Sequence, residues 1–222
     1  MANNTTGWPV KLNHTVLELL PERAVYWPSK QWLLIADLHL GKAEHFQKNS
    51  IPLSNEVHQR DYNILEALIR QYKPEKVIFL GDLFHSRENT SVAVFAEFIK
   101  QFTCEFILIE GNHDIMQTGV YQAMKVNCIG ETLQEEDLIL SHEPLSEIPE
   151  GMINVFGHIH PGYRLRGKGM QTLLLPCFAL SGQQFFMPAF GATTGLHSLK
   201  LKKGELFLIT GATITAFSAH KP

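Results

Sequence analysis

The chain has only three cysteines in 222 residues, Cys104, Cys128 and Cys177, and none of them stands in a C-x-x-C pair. An odd number at wide spacing excludes a disulfide framework and a zinc knuckle, and fits reduced thiols in a cytoplasmic protein. No apolar run approaches the ~20 residues of a membrane-spanning helix. The N-terminus, MANNTTGWPVKLNHT, has no basic segment leading into an apolar one, so neither membrane nor secretion is expected. Charge of one sign is scarce: 19 Lys and Arg stand against 22 Asp and Glu, a net charge of -3. That excludes a generic polycationic nucleic-acid coat, but not an enzyme that grips a few phosphates locally. Internal repeats, low-complexity tracts and long linkers are missing too, so one domain over residues 1–222 is expected.

Apolar runs and turn residues divide the chain. TVLELL and AVYW, separated by Pro21-Glu22-Arg23, read as a hairpin before the strand QWLLIAD. Ser54 to Tyr72 reads as a helix capped by Ser54, with Val57, Ile64, Leu65, Leu68 and Ile69 on its apolar face and Pro74 past its end. KVIFLGD is a buried-type strand, Ser91 to Phe102 a second helix, and EFILIEGNHD another strand ending in polar residues. DLILSHEP, NVFGHIH, TLLLPCFAL, QFFMPAF and ELFLITGATITAF follow, rich in β-branched and aromatic residues. The early alternation of strand and helix predicts parallel strands with helical crossovers. The expected fold class is α/β, a sandwich of two mixed β-sheets flanked by helices, with chemistry at the strand ends.

What is plentiful is histidine, 11 residues, unevenly placed. Five strands end in metal-type residues: Asp37 and His39 in ADLH, Asp82 in LGDLFH, Asn112 and His113 in EGNHD, His142 in SHEP, and His158 and His160 in GHIH. Gly81, Gly111 and Gly157 stand beside three of these groups and let the backbone turn closely. Strand alternation sends residues i and i+2 to one face, which predicts that Asp37 and His39 point into one space. A lone histidine is ordinarily structural and a lone Gly-Asp a turn, but five such ends in one chain read as a metal centre. Carboxylate, imidazole and amide oxygen without thiolate suit Mn²⁺, Fe or Zn²⁺ in a catalytic role rather than a structural zinc. Seven ligands are too many for one tetrahedral ion and fit two ions that share a carboxylate.

In this order the motifs D-x-H, G-D-x-x, G-N-H-D, an isolated His and G-H-x-H, spanning Asp37 to His160, resemble those of the calcineurin-like metallophosphoesterases. The resemblance implies the family's four-layer sandwich. It also implies that Asp37, His39 and His160 hold one ion, that Asn112, His142 and His158 hold the other, and that Asp82 bridges them. Two divalent ions, Mn²⁺ foremost with Fe, Zn²⁺ or Mg²⁺ as alternatives, then serve phosphoester hydrolysis. His113 would protonate the leaving alkoxide, with Asp114 fixing its tautomer. His85, in GDLFHS, stands where many relatives carry a carboxylate or amide, and resembles the GDLFH of the nuclease subunit of double-strand-break repair complexes. It reads either as a further catalytic group or as a histidine bonded to nearby backbone.

Wider stretches, LLPERAVYWPSKQWLLIADLHLGKAEHF, GHIHPGYRLRG and MPAFGATTG, are similar to the PdeM-type phosphoesterases, ligase-associated endonucleases of the bacterial DNA damage response. That likeness implies a phosphodiester substrate, DNA, and DNA ligase and helicase partners. Phe46-Gln47 stands where relatives often have Phe-Arg, which removes one phosphate-contacting cation unless Lys48 replaces it. Lys42, Arg87, Arg164, Arg166 and Lys168 lie near the motifs and extend a positive field along a strand of phosphates. GYRLRGKG, residues 162–169, approaches the phosphate loop G-x-x-x-x-G-K-[ST], but Gly169 replaces the hydroxyl residue, so it reads as a basic hairpin turn. The same metals serve a phosphatase or a small-nucleotide or cyclic-nucleotide phosphodiesterase, which stays open as the alternative. The complete ligand set together with His113 speaks against a non-catalytic binding module.

Overall fold

The computed structural model describes residues 7–41, 56–85, 91–167 and 171–220. Lys42, Phe46, Gln47, Lys48, Ser54, Arg87, Lys168 and Gly169 lie outside the described residues. The first apolar runs form β1 (Trp8–Leu12), β2 (Thr15–Leu20), β3 (Ala24–Trp27) and β4 (Trp32–Ala36), each antiparallel to the next. The expected TVLELL–AVYW hairpin is β2–β3. From β4 the pairing becomes parallel through β5 (Lys76–Leu80), β6 (Glu105–Ile109) and β7 (Val126–Ile129). Three helices make the crossovers: α1 (Glu56–Tyr72), α2 (Ser91–Ile99) and α3 (Thr118–Ala123). Register sets Ala36 beside Leu80 and Leu80 beside Ile109, so β4, β5 and β6 end level with one another.

The second sheet contains β8 (Thr132–Glu135), β9 (Leu138–Ser141), β10 (Ile153–Phe156), β11 (Pro161–Arg166), β12 (Thr172–Ser181), β13 (Gln184–Phe186), β14 (His197–Ser198), β15 (Lys203–Thr210) and β16 (Thr213–His220). Its β9 and β10 are parallel with Ser141 beside Phe156, so they too end level. Both sheets are mixed, as expected. Alternate residues explain the layering: Leu34, Ala36, Ile78, Leu80, Ile107 and Ile109 pack with Leu138, Leu140, Ile153, Val155 and Phe178 of the second sheet. The opposite set, Leu33, Ile35, Val77, Phe79, Phe106 and Leu108, packs on Leu65, Leu68, Phe95, Phe98 and Tyr121 of the helices. Strands buried on both faces need continuous apolar runs, which is what WLLIA, KVIFL and EFILI supply.

The three described helices all cover the first sheet. On the second sheet Cys177, Ala179, Leu206 and Leu208 pack with Leu199 and Leu201, and no described helix joins them. Helix α2 stops at Ile99 rather than Phe102, where single-turn bonds Gln101 N–H to Phe98 O and Phe102 N–H to Ile99 O let Phe102 fold back on Phe98. ELFLITGATITAF is two strands, not one, because Gly211 turns the chain with φ 66°. GYRLR forms the arm of a β11–β12 hairpin closed by Gly167 N–H to Gln171 O at 2.9 Å. All three cysteines are free, and no helix among the described residues is long and apolar enough to cross a membrane.

Leu34 has no exposed surface and sits between the sheets. Leu34→Ala therefore loses about 2–5 kcal/mol of unfolding free energy, the range of buried Leu truncations, read as a lower midpoint in chemical denaturation.

Candidate metal centre

The five level strand ends point the same way and meet across the inter-sheet core. β4, β5 and β6 deliver Asp37, His39, Asp82 and Asn112, while β9 and β10 deliver His142, His158 and His160. Carboxyl ends of parallel strands are where open α/β sheets place their ligands. Asp37 and His39 do share one space, but strand alternation is not the reason. β4 ends at Ala36, and both residues lie beyond it in left-handed backbone, φ 53° and 50°. Asp82, His158 and His160 adopt the same conformation at 51°, 61° and 50°. Two left-handed turns bring the Asp37–Leu40 and Asp82–His85 segments side by side. They are joined by His39 N–H to Asp82 O, Leu40 N–H to Leu83 O and His85 N–H to Leu40 O, each 2.9 Å. Gly81 is needed in this arrangement: its φ is 75° and a Cβ there would run into the His142 ring. Gly111 and Gly157 serve by size instead, since a Cβ would lie 2.6 Å from Asp82 Oδ1 and 2.5 Å from Asp37 Oδ2 respectively.

The side chains converge in two groups. Asp37, His39 and His160 offer ligand atoms within 4.8 Å of one another, and so do Asp37, Asp82 and His142. Nε2 of His160 lies 3.2 Å from Asp37 Oδ1, and His158 N–H donates to Asp37 Oδ2 at 2.9 Å. Asp82 faces both halves: Oδ2 lies 3.6 Å from His39 Nε2 and Oδ1 lies 3.5 Å from His142 Nε2. His142 Nδ1 sits 2.9 Å from Leu80 O, so the proton belongs there and Nε2 presents a lone pair. That Nε2 is 2.9 Å from Asn112 Oδ1 and 3.1 Å from His158 Nδ1. The structure thus brings together all seven residues expected as ligands.

Divalent cations fit this set. Asp37 and Asp82 are 0% and 2% exposed, and among the described residues their ion-pair partners are histidines alone. Burial pushes the Asp82 carboxyl up, opposed by His142 and the His113 N–H and reinforced by Asp37. Two buried carboxylates with no Lys or Arg beside them among the described residues suit a cation. Nε2 of His160 is likewise buried without a hydrogen-bond partner among the described residues. His142 Nε2 and Asn112 Oδ1, 2.9 Å apart, are two donor atoms of the kind a cation takes.

His113 is exposed, its backbone N–H donating to Asp82 Oδ1 at 2.9 Å. Its ring stacks beside His85 at 5.6 Å and stands edge-on to His39 at 5.7 Å. Asp114 takes a different place from the one expected. Its carboxylate accepts from the backbone N–H groups of Asp82, Leu83 and Gly111 at 2.6, 3.0 and 2.9 Å and from the Tyr121 hydroxyl at 3.4 Å. None of its hydrogen bonds among the described residues reaches the His113 ring, so it shapes the ligand loops rather than a tautomer. Burial pushes its carboxyl up to about 6 against those donors. His85 is half-buried between the rings of His39 and His113, 5.8 and 5.6 Å away. Glu110, Glu131 and Glu143 carry no motif signal, yet they line a cavity of about 520 Å³ with Asn112 and His142.

A model described as calcineurin-like phosphoesterase matches residues 32–172, more than half of the chain. Among solved structures, Pseudomonas putida nuclease MPE is similar with a TM-score of 0.78 and 29% identity over 91% of this chain and 96% of that one. Yfce, a phosphoesterase from E. coli, is more distant at a TM-score of 0.43 and 15% identity, over 84% of this chain and 98% of that one. No curated protein matches.

Asp82→Asn leaves one oxygen and no charge between the two halves. Calorimetric titration with Mn²⁺ should show both ions weakened by at least the ~10–100-fold that losing an outer partner of a metal ligand costs. Loss at one ion alone would remove Asp82 from the bridging position.

Proposed function

Because this chain belongs to the calcineurin-like phosphoesterase family, we propose that it is a two-metal phosphodiesterase that cuts DNA. The observation that carries this reading is the convergence, from five strand ends, of four histidines and Asn112 on two buried carboxylates, Asp37 and Asp82, that have no Lys or Arg partner among the described residues. Divalent ions held by such a set act as Lewis acids toward a phosphoryl oxygen and supply a nucleophile at neutral pH. Mn²⁺ suits the mixed oxygen and nitrogen donors. Asp37, His39 and His160 would hold one ion, Asn112, His142 and His158 the other, and Asp82 both. His113, exposed at the rim and anchored through its N–H on Asp82, acts as general acid toward the leaving alkoxide, and His85 fixes its ring by stacking.

Charge distribution supports a polynucleotide. Arg164 and Arg166 are exposed on one face of β11, about 13 and 20 Å along the strand from His160 at ~3.3 Å per residue. On the other flank, Glu110, Glu131 and Glu143 repel phosphates, so a strand of DNA tracks the β11 side. Likeness to a nuclease over nearly the whole chain supports a nucleic-acid substrate. A role in cytoplasmic DNA repair beside a DNA ligase and a helicase rests on the resemblance to ligase-associated endonucleases. A second reading, a phosphatase or small-nucleotide hydrolase, uses the same metal set. The cavity of about 520 Å³ beside Asn112 and His142 has the size of a small-molecule site, although its glutamates disfavour a phosphate there.

Chelation should abolish activity and Mn²⁺ restore it. His113→Ala should keep both ions by metal analysis while turnover falls ~10²–10⁴-fold, and less on a nitrophenyl diester, whose leaving group scarcely needs a proton. An ion-free variant would instead make His113 a ligand. Replacing Arg164 and Arg166 by Gln should lower DNA cleavage and flatten its salt dependence by roughly 0.7–0.9 in log–log slope per lost phosphate contact. A small aryl phosphodiester should be cut as before. An equal response on both substrates favours the small-nucleotide reading.

A further inference from the structure

Among the described residues, one buried acid lies outside the metal centre. Asp61, on α1, is 2% exposed, and both carboxylate oxygens accept from Ala192 N–H, at 3.3 and 3.2 Å. Ala192 ends a segment that crosses from one sheet to the other directly behind the ligand turns. Met187 N–H donates to Phe156 O at 2.8 Å, at the end of β10 and two residues before His158. Phe190 N–H donates to Ala36 O at 2.8 Å and Gly191 N–H to Asp37 O at 3.2 Å. Gly191 lies so close to this turn that a Cβ there would run into Leu38 O. Arg23 holds the same segment from the side, through Nη1 to Ala189 O at 3.4 Å.

The segment is therefore a strap. It fixes the carbonyls of Ala36 and Asp37, and through them the left-handed turn that aims Asp37 and His39. Its far end is held by the Asp61 carboxylate. Burial pushes that carboxyl up to about 6, opposed by the Ala192 N–H, Arg23 and Arg60. The ionised group stands there against its own desolvation, which hydrogen bonding to the strap offsets only in part. We infer that Asp61 is a positioning residue of the metal centre, acting through residues 187–192 on the ion held by Asp37, His39 and His160. Outer partners of metal ligands act in this way, by holding first ligands in their binding geometry.

This inference rests on the metal-centre reading, and the test separates the two. Calorimetric titration of the full chain with Mn²⁺ should show two ions in the wild type. In Asp61→Ala one of them should weaken ~10–100-fold, while the ion on Asn112, His142 and His158 stays within about threefold. Asp61→Asn keeps an acceptor for Ala192 N–H and should restore the affinity. At pH 8 it should melt no lower than the wild type. A carboxyl raised to about 6 in the fold contributes stability only at low pH and loses it as pH rises, so dropping the charge costs nothing there. Coupling is reciprocal, so Mn²⁺ should also slow amide exchange at Gly191 and Ala192 in the wild type, a measurement that needs no variant. Two wild-type-like ions in Asp61→Ala, equal weakening of both ions in Asp61→Ala and Asp61→Asn, or exchange indifferent to Mn²⁺ would each overturn the inference. A wild type that binds no Mn²⁺ would remove the metal centre itself.

Discussion

Asp37 and Asp82 are two carboxylates with almost no access to water, close to the same imidazoles, on a chain that sets no Lys or Arg against them among its described residues. In a low-dielectric interior an uncompensated pair of this kind is among the costliest arrangements a protein can hold. Everything around the pair acts to keep it there. The apolar strands end level beneath it, the neighbouring residues turn left-handed around it, and His142, with its proton on Nδ1 toward Leu80 O, faces it with Nε2. Such an arrangement fits a multivalent cation, which would compensate both carboxylates at once.

Backbone strain tells the same story at the next level. Five of the seven candidate ligand residues are non-glycine residues in left-handed backbone, a conformation that costs of order 1–3 kcal/mol where it is not relieved. Strain of that size persists only where the surroundings over-determine it. Here the Asp37–Leu40 and Asp82–His85 segments zip together through three backbone bonds. The Asp114 carboxylate gathers three further N–H groups on the other side, and Asp37 takes the His158 N–H across the sheet interface. The candidate ligands are thus oriented by the protein's own backbone hydrogen bonds, which reduces the ordering cost of binding an ion.

The convergence of the seven candidate residues was legible because each motif is short and local: a polar residue straight after an apolar run, repeated at five strand ends. The parallel βαβ half was legible for a related reason, since strands buried on both faces must be continuously apolar. What stayed hidden depends on distance or on backbone conformation. Strand alternation gave the right partners for Asp37 and His39 by the wrong geometry, because nothing in ADLH marks the strand as ending at Ala36. Asp114 misled by adjacency: next to His113 in sequence, it turns to the amides of residues 82, 83 and 111. Asp61 acts on Ala192, 131 positions away, and sits in a helix whose local sequence announces only a solvated polar residue. Short elements such as α3 and β14, of six and two residues, fall below the length at which periodicity can speak.

The two sheets contribute unequally, and this has a thermodynamic consequence. The first sheet provides Asp37, His39, Asp82 and Asn112, and the second His142, His158 and His160, so each expected ion set draws on both. An ion at either position is a cross-link between the sheets at the rim of the core formed by Ala36, Leu80, Ile109, Leu140 and Val155. A ligand that binds only the folded state stabilises it in proportion to the logarithm of its concentration over its dissociation constant. Sheet packing and metal occupancy are therefore one linked equilibrium. A loosened inter-sheet core lowers ion affinity without touching a ligand, and an occupied centre holds the sheets together without adding an apolar contact.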